Sequence, residues 1–116
     1  VLRRTGENLI YKDNINQILL FGAVSFDTER NELWDHQNII YLTSSETKIM
    51  QIFSKSIGVP ITRFDLIQEL RTDGKPMNDR AIDVQVTRLR RKIEKNPKQP
   101  RYLQTLRGIG YMLTAD

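Results

Sequence analysis

Short apolar runs separated by polar clusters set the pattern of the first third of the chain. Ile18-Leu19-Leu20-Phe21-Gly22-Ala23-Val24-Ser25-Phe26 is rich in β-forming residues, and the polar cluster Asp27-Thr28-Glu29-Arg30 ends it. Glu32-Leu33-Trp34 follows, then a second polar cluster, Asp35-His36-Gln37-Asn38, and the run Ile39-Ile40-Tyr41-Leu42. This spacing predicts a small antiparallel meander. Such a sheet is stable only when another layer covers its apolar face. Residues 1–17 show no sustained period and read as a linker or arm.

From Thr43 onward the apolar period lengthens to that of helices, which supply the cover. Thr43-Ser44-Ser45-Glu46 is a capping box, in which each of Thr43 and Glu46 satisfies the other's amide. Ile49, Met50, Ile52, Phe53 and Ile57 give a wide apolar helical face, and Gly58 with Pro60 is a helix stop. Thr62 with Asp65 opens a second, short helix carrying Phe64, Leu66, Ile67 and Leu70. After the loop Arg71-Thr72-Asp73-Gly74-Lys75-Pro76, Asn78 caps a third helix predicted from about Asp79 to Lys95, ended by Asn96-Pro97. There Ile82, Val86, Leu89 and Ile93 recur at i, i+4, i+7 and i+11, one buried stripe. At about 100° per residue the opposite side presents Arg80, Val84, Thr87, Arg88, Arg91 and Lys95. Tyr102–Leu106 and Tyr111–Thr114 then flank Arg107-Gly108-Ile109-Gly110 as a β-hairpin with a basic tip. The predicted class is α+β, with residues 18–116 as one domain.

Composition narrows the function classes. At 116 residues, 39% hydrophobic and 28% charged, the chain has the balance of a single soluble globular domain. The absence of cysteine excludes disulfide scaffolds, thiolate metal sites and thiol nucleophiles, and any histidine chemistry would rest on His36 alone. No apolar run approaches the roughly 18 residues of a membrane span, so a cytoplasmic protein without a membrane partner is expected. The net charge of +4 is unevenly placed. From Asn78 to the end there are nine basic and four acidic residues, a net of +5, which leaves −1 for residues 1–77. That concentration points to a polyanion.

An α-helix fits the DNA major groove, where arginine donates two hydrogen bonds to guanine, and Val84 and Thr87 offer methyl groups to thymine. A helix of this kind followed by a hairpin with an arginine at its tip is the layout of a winged helix. The plain alternative is that the arginines only solubilise the helix. It suits Arg90, which shares a flank with Asp83 and Glu94 and is spaced to pair with Glu94 at i, i+4. Arg107-Gly108-Ile109-Gly110 lacks the third glycine and following helix of a dinucleotide loop. Its glycines read as a tight turn that exposes Arg107, which suits a narrow, electronegative minor groove. Asp27, Glu29, Asp65 and Asp73 are scattered over turns and caps, so no catalytic residue, metal or cofactor is expected. Two rival readings are a protein-interaction module using the Arg71–Met77 loop and an enzyme acting on a nucleic acid or nucleotide, for which the sequence shows no metal site or nucleophile.

At these residues the sequence resembles a known family. Asp79 to Lys92 resembles the recognition helix of OmpR/PhoB-type response regulators, Pro100 to Tyr111 resembles their wing, and Leu42-Thr43 with Glu46 matches the start of their first helix. The similarity runs over about Ile18 to Thr114, and Val1-Leu2-Arg3-Arg4-Thr5 resembles the end of the last receiver-domain helix. The resemblance implies a winged helix-turn-helix: a four-stranded N-terminal sheet, three helices and a hairpin wing. The fourth strand lies either within 18–26, split at Gly22, or in the arm. It implies a transcription factor that binds direct-repeat half-sites of double-stranded DNA, usually as a head-to-tail dimer. By position Arg88 reads a base edge beside Val84 and Thr87. Arg80, Gln85 and Arg91 approach phosphates, Arg71 is a further phosphate contact, Arg107 enters the minor groove, and Thr105 and Tyr111 hold the flanking backbone. The loop of Arg71, Thr72, Asp73, Gly74, Lys75, Pro76 and Met77 corresponds to an RNA polymerase contact. A sensor histidine kinase is implied as partner only through a receiver domain absent from these residues.

Overall fold

The computed structural model describes residues 18–71 and 77–116. The expected arm, residues 1–17, and residues 72–76 of the polymerase-contact loop lie outside the described residues. A four-stranded antiparallel sheet comes first, in the order β1 (Ile18–Phe21), β2 (Val24–Asp27), β3 (Glu32–Asp35) and β4 (Asn38–Ile40). Gly22, at φ +67°, divides the first apolar run into two strands joined by a two-residue turn, with Phe21 opposite Val24. This decides the question of the fourth strand. In the β2–β3 turn the Asp27 carboxylate accepts from the Glu29 and Arg30 amides. His36 takes a left-handed conformation in the β3–β4 turn and contacts Asp35, as expected of a surface turn residue.

Strand alternation buries Phe21, Phe26 and Leu33 on one face of the sheet. These join one core with Ile49, Met50 and Phe53 of α1 (Ser44–Ser54) and Leu66 and Leu70 of α2 (Arg63–Leu70). Ile82, Val86, Leu89 and Ile93 of α3 (Asp79–Ile93) complete it, each no more than 1% exposed. The Thr43–Glu46 capping box forms as read, with the Glu46 amide 3.2 Å from Thr43 Oγ1 and the Thr43 amide 2.9 Å from Glu46 Oε1.

Two expectations, the extent of the first helical face and the end of the third helix, need correction. Helix α1 stops at Ser54, so Ile57 is an exposed residue of the following turns rather than part of the helical face. There the chain is drawn toward the C-terminal hairpin, and the Gly58 amide donates to the Leu113 carbonyl. Phe64 is 67% exposed, because it sits about 200° around α2 from Leu66, whose stripe faces the core. Helix α3 ends at Ile93, two residues early, because Glu94 turns to an extended conformation.

The hairpin consists of β6 (Leu103–Leu106) and β7 (Gly110–Leu113), with a third strand, β5 (Ile61–Thr62), on the far side of β7. Gly110, opposite Thr62, has φ +156°, and a Cβ there would overlap the Ile61 carbonyl and lie 2.8 Å from Thr62 Cα. Only glycine lets β5 approach so closely. Contacts of Tyr102 and the C-terminal Asp116 join the hairpin unit to the N-terminal sheet. Phe21 meets Tyr102 edge-on at 5.4 Å, and the Asp116 carboxylate accepts from the Gly22 amide and the Tyr102 hydroxyl.

Candidate nucleic-acid interface

Helix α3 carries three kinds of side chain on three flanks. Asn78 starts it, its side-chain oxygen accepting from the Ala81 amide, and the apolar stripe anchors it to the core. On the opposite side Arg80, Val84, Thr87, Arg88 and Arg91, with Asp83 at the margin, line a shallow open depression of about 360 Å³. The sequence reading thus places this group correctly on one face. Arg80, Thr87, Arg88 and Arg91 are exposed, and Val84 is 40% exposed. The Thr87 hydroxyl donates to the Asp83 carbonyl within the helix. Gln85 is half-buried, and its amide oxygen accepts no hydrogen bond from the described residues. Lys95 is exposed but lies past the helix end.

The third flank is where the sequence reading fails. Asp83, Arg90 and Glu94 lie one position beyond Ile82, Leu89 and Ile93, and they bind the hairpin. Glu94 is 8% exposed and accepts from three successive amides: Arg101 at 2.8 Å, Tyr102 at 3.0 Å and Leu103 at 2.7 Å. Arg90 makes no ion pair with Glu94. Its Nε donates to the Leu103 carbonyl at 2.8 Å and another guanidinium nitrogen donates to Thr105 Oγ1 at 2.7 Å. Asp83 accepts from the Tyr111 hydroxyl and from Arg63 Nε, the latter at 2.8 Å. Burial alone pushes the Asp83 carboxyl up, but the Tyr111 hydroxyl and the Arg63 guanidinium outweigh it and hold the group below its ordinary value. Tyr111 is pushed up by burial and by the adjacent carboxylate. The guanidinium carbons of Arg63 and Arg90 lie 5.1 and 5.7 Å from the centre of its ring.

The hairpin residues divide accordingly. Arg107 is exposed at the tip, and Thr105 is exposed with its hydroxyl accepting from Arg90. Tyr111 is only 4% exposed, one ladder pair from the hairpin turn, with its hydroxyl directed to Asp83. It therefore does not share the surface formed by the other expected contacts. Arg71 is exposed at the C-terminal end of α2, and Met77 is half-buried against the core. The opposite end of α3 is fixed by Lys92, whose ammonium lies 2.6 Å from the buried Glu46 carboxylate and 2.7 Å from the Tyr41 carbonyl. Burial raises the Glu46 carboxyl, and Lys92 together with the Thr43 amide more than reverses that. A charge beside each buried position at i, i+7 and i+11 was the available signal for this docking flank. The same signal also fits a solvated helix, so sequence alone left it ambiguous.

The arginines are therefore sorted by use. Arg63 and Arg90 are bound internally, while Arg80, Arg88, Arg91 and Arg107 make no side-chain hydrogen bond or ion pair among the described residues. No described helix is long and apolar enough to cross a membrane.

Comparison with known proteins places this geometry. Residues 36–113 match the family described as "Transcriptional regulatory protein, C terminal". The chain is 47% identical over 103 residues to Protein PetR of Rhodobacter capsulatus, a match covering 84% of this chain and 44% of PetR. Response regulator DrrB of Thermotoga maritima, an OmpR/PhoB homologue, superposes with a TM-score of 0.75 at 26% identity, over 97% of this chain and 54% of DrrB. The DNA-binding domain of CpxR from E. coli superposes with a TM-score of 0.65 at 28% identity, over 84% of this chain and 96% of that domain. The chain spans about half the length, or less, of the curated relatives it matches.

Proposed function

Since the chain belongs to the transcriptional regulatory protein C-terminal family, we propose that it is the DNA-binding output domain of a two-component response regulator and that it reads duplex DNA through two grooves. Helix α3 enters the major groove, with Arg88 at a base edge, Val84 and Thr87 beside it, and Arg80, Gln85 and Arg91 toward phosphates. Arg107 at the hairpin tip reaches the neighbouring minor groove, Thr105 and Arg71 lie toward the flanking backbone, and Tyr111 supports the hairpin from behind. One observation carries this reading. Arg80, Arg88, Arg91 and Arg107, which make no side-chain hydrogen bond or ion pair among the described residues, lie on one helix face and one hairpin tip, whereas Arg63, Arg90 and Lys92 are held by other side chains and carbonyls.

Direct-repeat half-sites occupied by two copies, an RNA polymerase contact through Arg71–Met77, and control by a sensor histidine kinase through a receiver domain complete the proposal. They rest on the family resemblance. Selection of duplexes from a random pool, run on the parent chain and on Arg88→Ala, tests the core of it. The parent should enrich a tandem half-site, and the variant should blur one position and lose about 1–3 kcal/mol on the selected site. Arg91→Ala should weaken all duplexes alike and shallow the salt dependence by about one unit. Equal weakening of every duplex by Arg88→Ala would remove the base-reading role.

A further inference from the structure

Reading two grooves at once requires the helix and the hairpin to be held at a fixed angle, and the arginines that help hold them, Arg63 and Arg90, are not those proposed to face the DNA. A two-stranded hairpin has little stability of its own. Its direction is therefore set by the contacts that hold its strands against other elements. Thr105 and Tyr111 are directly opposite each other in the β6–β7 ladder, so their side chains share one face of the hairpin. That face meets α3. Arg90 donates to Thr105 and to the Leu103 carbonyl, and Asp83 accepts from Tyr111. Asp83 and Arg90 are seven residues apart, two turns along one flank, a baseline of about 10 Å. Arg63, the first residue of α2, ties the same carboxylate to a third element and reaches the Tyr111 hydroxyl at 3.3 Å.

From this geometry we infer that Arg63, Asp83 and Arg90 are positioning residues that set the hairpin tip relative to the reading face of α3, and so determine whether Arg107 reaches the minor groove while Arg88 occupies the major groove. The inference rests on the two-groove reading proposed above. Leverage gives it force. Arg107 lies two residues beyond the Thr105–Tyr111 pair, about 7 Å along the strand, so a swing of about 20° about that pair moves it by about 2 Å. The minor groove is only about 6 Å wide. A looser hold at the Thr105–Tyr111 pair would leave Arg88 in place and take Arg107 out of register.

The test is a pair of double-mutant cycles on the selected duplex, using folded chains checked by circular dichroism. In the parent, Arg107→Ala and Arg88→Ala should each weaken binding about tenfold or more. In an Asp83→Ala background the Arg107→Ala loss should fall to about threefold or less, while the Arg88→Ala loss stays near its parent value. The extra positive charge left by Asp83→Ala strengthens binding to every duplex and cancels within each cycle. Arg63→Met provides the same comparison with the opposite charge change, and stands in should Asp83→Ala fail to fold. An undiminished Arg107 effect in folded backgrounds overturns the inference. Equal blunting of the Arg107 and Arg88 effects overturns it as well, since that marks general loosening. A parent indifferent to Arg107→Ala but sensitive to Arg88→Ala would remove the minor-groove contact, and the positioning role with it. A parent that selects no duplex would instead sink the DNA-reading proposal.

Discussion

Removing the Glu94 carboxylate separates the two roles this residue has been given. If Glu94 were half of a solvated i, i+4 pair with Arg90, Glu94→Ala would cost about 0.3–0.5 kcal/mol. In the structure it accepts from three consecutive amides at the entry to β6, and two of these, Tyr102 and Leu103, are buried. Truncation strands those two donors away from water, at about 1–3 kcal/mol each. The Arg101 amide lies nearer solvent and can turn to water. The expected loss is therefore about 4 kcal/mol, against a total of about 5–15 kcal/mol for a domain of this size. That corresponds to a fall in Tm of roughly 15 °C. Glu94→Gln keeps one acceptor but turns an amide group toward a donor, so about half the loss is expected. Urea unfolding at neutral pH gives the free energies, and native-state hydrogen exchange at the Tyr102 and Leu103 amides gives the local readout. An alanine variant within about 1 kcal/mol of the parent, with both amides still protected, would refute the reasoning.

Gly110→Ala should destabilise by more than about 2 kcal/mol, because the new Cβ meets the backbone of β5 and the φ of +156° is strained for an L residue. An unchanged melting curve would show that β5 yields freely. Glu46, Asp83 and Asp116 all have carboxyls held below their ordinary values in the native state. For such groups the stabilisation is present above the unfolded-state value and lost as pH falls through the native one. Stability should therefore be level from about pH 5 to about pH 7 and decline below about pH 4.5. Urea midpoints that stay constant or rise from pH 5 to pH 3 would contradict this.

The elements themselves were legible in the sequence because each has a local cause. The capping box at Thr43–Glu46, the Thr62 and Asn78 caps, and the 3.6-residue stripe of Ile82, Val86, Leu89 and Ile93 depend on neighbours a few positions away. The outward group Arg80, Val84, Thr87, Arg88 and Arg91 follows from the same period once the inner stripe is known. Three-dimensional pairing decided the rest. Strand β5 is two residues long and forms by pairing with β7, about fifty residues later, so no run of β-formers announces it. Phe64 is exposed although it lies in an apolar cluster, because the turn of α2 carries it away from the core. The charged residues Asp83, Arg90 and Glu94 have the sequence signature of a solvated helix flank. Which charges meet water and which meet a distant amide, hydroxyl or guanidinium is set by how the hairpin packs against α3, and helical period alone carries no information about that contact.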